Sequence, residues 1–302
     1  MSSHARLASL PDNAFHNFRH VFMVTHASAL LVTQSGLRAR TLTDLDCLAL
    51  LLSALCHDLE HPGLTNSYHV ATRSPLALRY HDSSVLENHH ACCAFTLLER
   101  SGLVAHLAPA EHAELRKTMV EAVLATDMSV HGDLLARMTA RVAAMREAAA
   151  EAAAAPAGAA DAQQGDTSRA RRTSTTTAGA PVPSAAFRRD CVEDRRLLVA
   201  YLLHCADLCN PLLPFALSRR IAGELETEFA NQAGLERAAG LPVSVMLSPD
   251  TPSKARNEIG FIKAVVAPLY RTLADVSPAL RACMALIDAN CAQWEALIAF
   301  AA

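Results

Sequence analysis

Aromatic residues make up only 5% of this 302-residue chain, with a single Trp. Neither sign of charge dominates: 27 Lys and Arg stand against 30 Asp and Glu, a formal net charge of −3. That balance gives no electrostatic footprint for a nucleic-acid or anionic-membrane partner. A membrane-length apolar run is also lacking. The longest strongly apolar stretch, Cys47 to Cys56, is half a span and ends in His57-Asp58, so it reads as a buried helix. No signal peptide opens the chain, and the 9 Cys are odd in number. Free thiols in a reducing, cytoplasmic compartment are therefore expected rather than a disulfide framework. Much of the 51% hydrophobic content is alanine, so the mean hydropathy of +0.17 overstates the apolar core. What the chain has in excess is histidine, 14 in all and clustered early, which directs attention to metal ligation.

Strand signals are almost absent, whereas helical spacing recurs. Helices are predicted over about 14–34, 45–56 (with Asp44 as its cap), 84–100, 110–126, 131–153, 191–206, 215–231, 254–273 and 278–300. An all-α multi-helix bundle follows. Residues 154–186 are rich in Ala, Gly, Ser, Thr, Pro and Gln and cannot bury enough surface to order themselves. They are predicted to be a disordered insertion between two parts, 1–153 and 187–302, of one domain. Within it, Arg169-Ala-Arg-Arg-Thr-Ser reads either as a kinase site at Ser174 or as an unselected solvated linker.

Five motifs carry polar chemistry. His16 and His20 are four apart and share a face if both lie on a helix. His57-Asp58-Leu-Glu-His61-Pro-Gly ends the apolar helix, placing an imidazole and a carboxylate where a cation would sit or where an ion pair would close the helix. Glu87-Asn88-His89-His90 lies on a predicted helix and is otherwise a polar face. Asp127 in TDMSVH is a ligand candidate or a helix cap. Asp207 in HCADLCNP ends the apolar Leu197–Leu203 helix, where a carboxylate is costly unless paired or bound to a metal. Together they supply His, His, Asp and Asp for one transition metal. A shared carboxylate would allow a second ion about 3.5–4 Å away, the spacing used in phosphoester chemistry.

The strings HNFRH, HDLEHPGLTNS, YHDSSVLENHH, TDMSVH, HCADLCNP and EIGFI, in this order from about Phe15 to Pro268, resemble the catalytic domain of class I cyclic nucleotide phosphodiesterases, a branch of the HD phosphohydrolase superfamily. The resemblance implies hydrolysis of cAMP or cGMP to the 5′-monophosphate. His20, His57, Asp58 and Asp207 would hold a zinc-like first metal, and Asp58 would bridge to a second, magnesium or manganese. His61, Glu87, His89 and Asp127 would orient the waters of that second ion. His16 would be the general acid, kept charged by Glu87. His90, Asn66 and Asn210 would shape the phosphate and nucleotide pocket, with Leu225 and Phe261 clamping the base.

The chain departs from this pattern at four places. Glu258 stands where the family has a glutamine facing the purine edge; an ionised Glu only accepts hydrogen bonds, whereas a protonated one would mimic the amide. Phe15 replaces a tyrosine, Ala233-Gly234 replaces Gly-Asp, and the helices that normally precede His16 are absent, which is expected to expose apolar surface. Such upstream parts, in a longer protein, would be the place for targeting or a membrane anchor. Two rival functions are another HD-type hydrolase acting on an acyclic nucleotide, and a silent nucleotide-binding or scaffold homologue. A homodimer is compatible with the sequence.

Overall fold

The structure is a computed structural model that describes residues 13–154, 187–244, 247 and 250–301. The predicted insertion and Ser174 lie outside the described residues, apart from Ala154 at the end of the helix that leads up to it. Among the described residues every regular element is helical. In chain order these are α1 Phe18–Ser35, α2 Leu37–Arg40, α3 Asp44–Cys56, α4 Asn66–Ala71, α5 Pro75–Tyr80, α6 Val85–Ser101, α7 Pro109–Leu124 and α8 His131–Ala154. After the insertion come α9 Val192–Asp207, α10 Phe215–Ala238, α11 Thr251–Phe261, α12 Ala267–Val276 and α13 Ala282–Ala301.

Local chemistry sets most of these boundaries. Asn17 caps α1 by accepting from the Arg19 N–H, and Gly36 ends it in the left-handed region at φ 68°. Consequently His16 lies in the turn before α1, and the shared helical face expected for His16 and His20 does not exist. The cap of α3 is Thr43 rather than Asp44. Thr43 and Asp46 form a reciprocal capping box, and Asp46 also stands 2.9 Å from Arg195. The helix expected over 254–273 is interrupted by a π turn at Ile262–Val266. Pro268, just beyond, has no N–H to continue the α ladder. The helix expected over 215–231 runs on to Ala238.

The core is built around α9. Residues Leu198 to Ala206 are all buried, as a helix that is apolar on all sides must be. Tyr201 and Tyr270 are buried with their hydroxyls donating to the carbonyls of Leu269 and Cys205. Trp294 on α13 is fully buried against Phe215, ring centroids 5.1 Å apart. A smaller cluster joins α3, α6 and α7 through Leu52, Phe95, Leu98, Leu115 and Met119. Helices from both sides of the insertion share the main core. Phe18 and Phe22 on α1 are 60% and 63% exposed. Among the described residues no helix is long and apolar enough to cross a membrane. Burying α3 and α9 delivers their C-terminal ends, with His57-Asp58 and Asp207, to the same side of the bundle.

Candidate active site

The ends of α3 and α9 and the start of α1 meet at the floor of a cleft of about 520 Å³. Four ligand-type atoms converge there. His20 Nε2 lies 3.3 Å from His57 Nε2, 3.3 Å from Asp58 Oδ2 and 3.1 Å from Asp207 Oδ1. His57 Nε2 is 3.3 Å from each of the same two carboxylate oxygens. His57 Nδ1 is bonded to the Ala54 carbonyl at 2.9 Å, which fixes the tautomer and leaves Nε2 as the free lone pair. Asp58 Oδ2 is buried with no hydrogen bond from the protein.

These side chains make a trap for positive charge. Burial alone would push the His20 imidazole down, but the Asp207 and Asp58 carboxylates beside it outweigh this and raise it to about 10. His57 is raised by the same two carboxylates against its burial. Burial pushes both carboxyls up, yet the imidazoles win: Asp58 is held well below the usual range, and Asp207 is lowered too. Two carboxylates and two imidazoles in a dry floor suit a divalent cation better than protons alone. The separations of 3.1–3.3 Å among His20, His57 and Asp207 let all three donor atoms lie about 2 Å from one shared point, the bond length of zinc to nitrogen and oxygen, with Asp58 Oδ2 at 3.3 Å from both imidazoles. The residues therefore fit a metal.

Asp58 faces two ways. Its second oxygen, Oδ1, is 3.9 Å from His90 Nε2, and Asp58, His61 and His90 offer ligand atoms within 4.8 Å of one another. His90 Nδ1 donates to the Leu59 carbonyl at 2.7 Å, and His61 Nδ1 accepts from the Gly63 N–H at 3.0 Å. Burial holds the His90 imidazole down at about 4, and burial with the neighbouring His16 holds His61 well below its ordinary value. Both are neutral at pH 7. Glu87 and Asp127 line the same end of the cleft. Glu87 accepts from Asn66 Nδ2 at 2.9 Å, and burial raises its carboxyl to about 7. Asp127 accepts from the Ser129 N–H at 2.8 Å, so its capping reading is realised while the residue still faces the cleft.

His16 sits at the rim, its ring stacked on His61 with centroids 3.8 Å apart. Its Nδ1 partner is Glu228 Oε2 at 2.5 Å, not Glu87 as expected. Glu228 Oε1 accepts the backbone N–H groups of Phe15 and His16, each at 2.8 Å. Asn13 ties this turn to the His61 loop by donating to the carbonyls of His16 and His61. Gly63, at φ 73°, permits the approach: a Cβ there would meet Asn13 Oδ1 at 2.9 Å. Spacing offered one signal for Glu228, which lies three residues after Leu225 and four before Gln232 on one face of α10.

Leu225, Phe261, Glu258 and Asn210 line the other half of the cleft. Burial raises the Glu258 carboxyl to about 7; Lys254 pulls it down, and Glu226, itself paired to Lys254 at 2.9 Å, pushes it up. Sequence reasoning missed this Lys254–Glu226 pair. One other expectation changes. His89, assigned to the waters of the second ion, does not line the cleft; its Nε2 lies 3.1 Å from Glu60 Oε2. Its neighbour His90 is the one that faces Asp58, because one residue turns about 100° around a helix. His204 likewise bonds His131 at 2.9 Å and stays out of the cluster.

An all-helical chain with a buried imidazole–carboxylate cluster beneath a half-apolar cleft is built as a metal-assisted hydrolase of small polar ligands is built. The sequence model of 3′5′-cyclic nucleotide phosphodiesterases matches residues 15–287, and the chain belongs to that family. The family implies divalent metals, and the clusters of His20, His57 and Asp207 and of Asp58, His61 and His90 are candidates to hold them. Mouse 3′,5′-cyclic-AMP phosphodiesterase 4C is 33% identical over 267 residues, 88% of this chain and 34% of that protein. A Drosophila melanogaster 3′,5′-cyclic-AMP phosphodiesterase, isoform F, is also 33% identical, over 88% of this chain and 35% of that protein. The chain thus spans about a third of the length of these relatives. Among solved structures, the phosphodiesterase domain of the RhoPDE fusion protein from the choanoflagellate Salpingoeca rosetta is similar with a TM-score of 0.77 and 35% identity, covering 96% of this chain and 80% of that one. LmjPDEB1 in complex with IBMX follows at 0.75 and 26%, covering 96% and 76%.

Proposed function

We propose that this chain hydrolyses a 3′,5′-cyclic nucleotide, cAMP or cGMP, to the nucleoside 5′-monophosphate. The contacts of 3.1–3.3 Å that join His20 and His57 to Asp58 and Asp207, beneath a cleft rimmed by His16, carry the reading. His20, His57, Asp58 and Asp207 would hold zinc. Asp58 would share a second ion, magnesium or manganese, whose surroundings include His61, His90, Glu87 and Asp127. Two such ions supply charge to the phosphoryl oxygens and a water acidic enough to attack phosphorus.

The remaining work falls to the chain's own side chains. The ribose oxygen leaves poorly as an alkoxide, so a proton must reach it. His16 gives that proton from Nε2, because Glu228 occupies Nδ1 and turns the ring toward the cleft. Glu87 fixes the Asn66 amide, whose oxygen also accepts the Leu86 N–H, and so sets the phosphate end of the cleft. Leu225 and Phe261 close on the two faces of the base, and Glu258 meets its polar edge. Asn210 donates to the Ser218 carbonyl and keeps its Oδ1 buried without a partner, available to a ligand N–H or hydroxyl. A cytoplasmic location is the part of this reading that rests on the substrate class alone.

The test is hydrolysis of cAMP and cGMP with added Mg²⁺ or Mn²⁺ by wild type, Asp207→Ala and Glu258→Gln in parallel. Turnover lost in Asp207→Ala and improved in Glu258→Gln is the expected result. Glu258 favours one alternative, a silent homologue that binds nucleotide; metal-loaded protein that turns over neither nucleotide, as wild type or as Glu258→Gln, would establish it.

A further inference from the structure

Glu60, His89 and Cys93 meet outside the cleft, and none of them lines it. We propose that they form a separate zinc site, a clasp that ties the loop carrying Asp58 and His61 to α6. His89 and Cys93 are four residues apart on α6 and so share a face. Glu60 approaches from the loop after α3, at φ 61°, a left-handed conformation that a residue with a side chain adopts only where its surroundings hold it.

The spacing is that of a tetrahedral zinc. With zinc–sulfur near 2.3 Å and zinc–nitrogen or zinc–oxygen near 2.0–2.1 Å, tetrahedral ligands stand about 3.5–3.6 Å apart when one is sulfur and about 3.3–3.4 Å apart otherwise. Here Cys93 Sγ is 3.5 Å from His89 Nε2 and 3.6 Å from Glu60 Oε2, and His89 Nε2 is 3.1 Å from Glu60 Oε2. Only small shifts bring all three onto one ion. The donor types select the metal: a thiolate beside an imidazole prefers zinc or cobalt to magnesium or calcium. The side chains of His89 and Glu60 are 15% and 34% exposed, which leaves a path for the ion and a fourth position for water. Cys93 would bind as thiolate, its proton passing to solvent.

The position gives the site its consequence. Glu60 lies between Asp58 and His61 in the chain, and α6 carries Glu87 and His90 one turn or less from His89. An ion held by all three would fix the register between the two segments that shape one wall of the cleft, without touching substrate.

Cobalt distinguishes this site from the cleft, whose donors contain no sulfur. Full-length protein titrated with Co²⁺ should develop the near-ultraviolet thiolate-to-cobalt charge-transfer band, and Zn²⁺ should abolish it. The band should vanish in Cys93→Ser, require at least about tenfold more Co²⁺ in His89→Gln and Glu60→Gln, and persist in Cys92→Ser and in Asp207→Ala. Far-ultraviolet circular dichroism of each variant establishes that it is folded. Absence of the band from folded wild type, or its survival in Cys93→Ser, would overturn the proposal. So would an unchanged cobalt affinity in both His89→Gln and Glu60→Gln. Since Asp207→Ala disables the cleft and spares the band, the clasp stands or falls apart from the hydrolase reading.

Discussion

Glu228 holds His16 by three contacts at once: Oε2 stands 2.5 Å from the ring Nδ1, and Oε1 accepts the N–H groups of Phe15 and His16 at 2.8 Å. One carboxylate therefore sets both the ring's tautomer and the turn that carries it. The His16 contact holds the Glu228 carboxyl below its usual range against its own burial, so it is ionised at neutral pH. Glu228→Gln should lower kcat by about 10–100-fold, the usual cost of removing a partner that orients an acid or ligand. Metal content, measured by elemental analysis, should be unchanged because no cluster residue is touched. An unaltered kcat would mean that His16 needs no orientation from α10.

Glu258 should make nucleotide binding depend on pH. Burial, with Glu226 nearby, raises its carboxyl to about 7 despite Lys254. Below that value the neutral group both donates and accepts at the base edge; above it the carboxylate only accepts. KM for cAMP should therefore rise from pH 6 to pH 8, by roughly tenfold if one buried hydrogen bond is lost. Glu258→Gln should flatten that rise. The same group should affect stability: its folded-state value exceeds the unfolded one, so its contribution is fully present below about 4.5 and is lost as pH rises through about 7. A KM that is flat over this range in wild type would show that Glu258 does not face the base.

The helices, the metal-type cluster and the cleft motifs were legible in the sequence because periodicity and short spacing encode them locally. Helices α2, α4 and α5 were not, since four to six residues show no period; only caps such as Ser74 before Pro75 hint at them. The position of His16 off the helix hung on a single cap, Asn17. The partner of His16 was out of reach for a different reason. Glu228 is 212 residues away and sits among Glu224 and Glu226, which look the same in sequence. Burial distinguishes them, and burial is tertiary. The exchange between His89 and His90 has the same origin, because two adjacent imidazoles can be told apart only once the helix has chosen its face.

Asp46 should be the costliest polar residue in the scaffold to remove. It is 1% exposed, accepts from the backbone N–H and hydroxyl of Thr43 at 2.7 and 2.6 Å, and lies 2.9 Å from Arg195 on α9. Thr43→Ala removes a cap alone and should cost about 1 kcal/mol. Asp46→Ala also leaves Arg195, 11% exposed, without its countercharge and should cost about 3 kcal/mol. Urea denaturation of the two variants checks the difference. Equal losses would mean that the Arg195 pair contributes nothing beyond the cap.

Metal should support the fold as well as the chemistry. His20, His57, Asp58 and Asp207 join α1, the end of α3 and the end of α9, so an ion held by all four adds a cross-link at the floor of the cleft to three helices that already share the main core. An ion present at about 100 times its Kd stabilises the folded state by about 2.7 kcal/mol, enough to move Tm by several degrees. Chelation of wild type should lower Tm accordingly, and returned zinc should restore it. Asp207→Ala should bind less zinc, melt lower than wild type in the presence of metal, and show a smaller response to chelator. If wild type and Asp207→Ala respond alike to chelation, the stabilising ion lies elsewhere; comparing Cys93→Ser in the same experiment would then assign it to the clasp at Glu60 and His89.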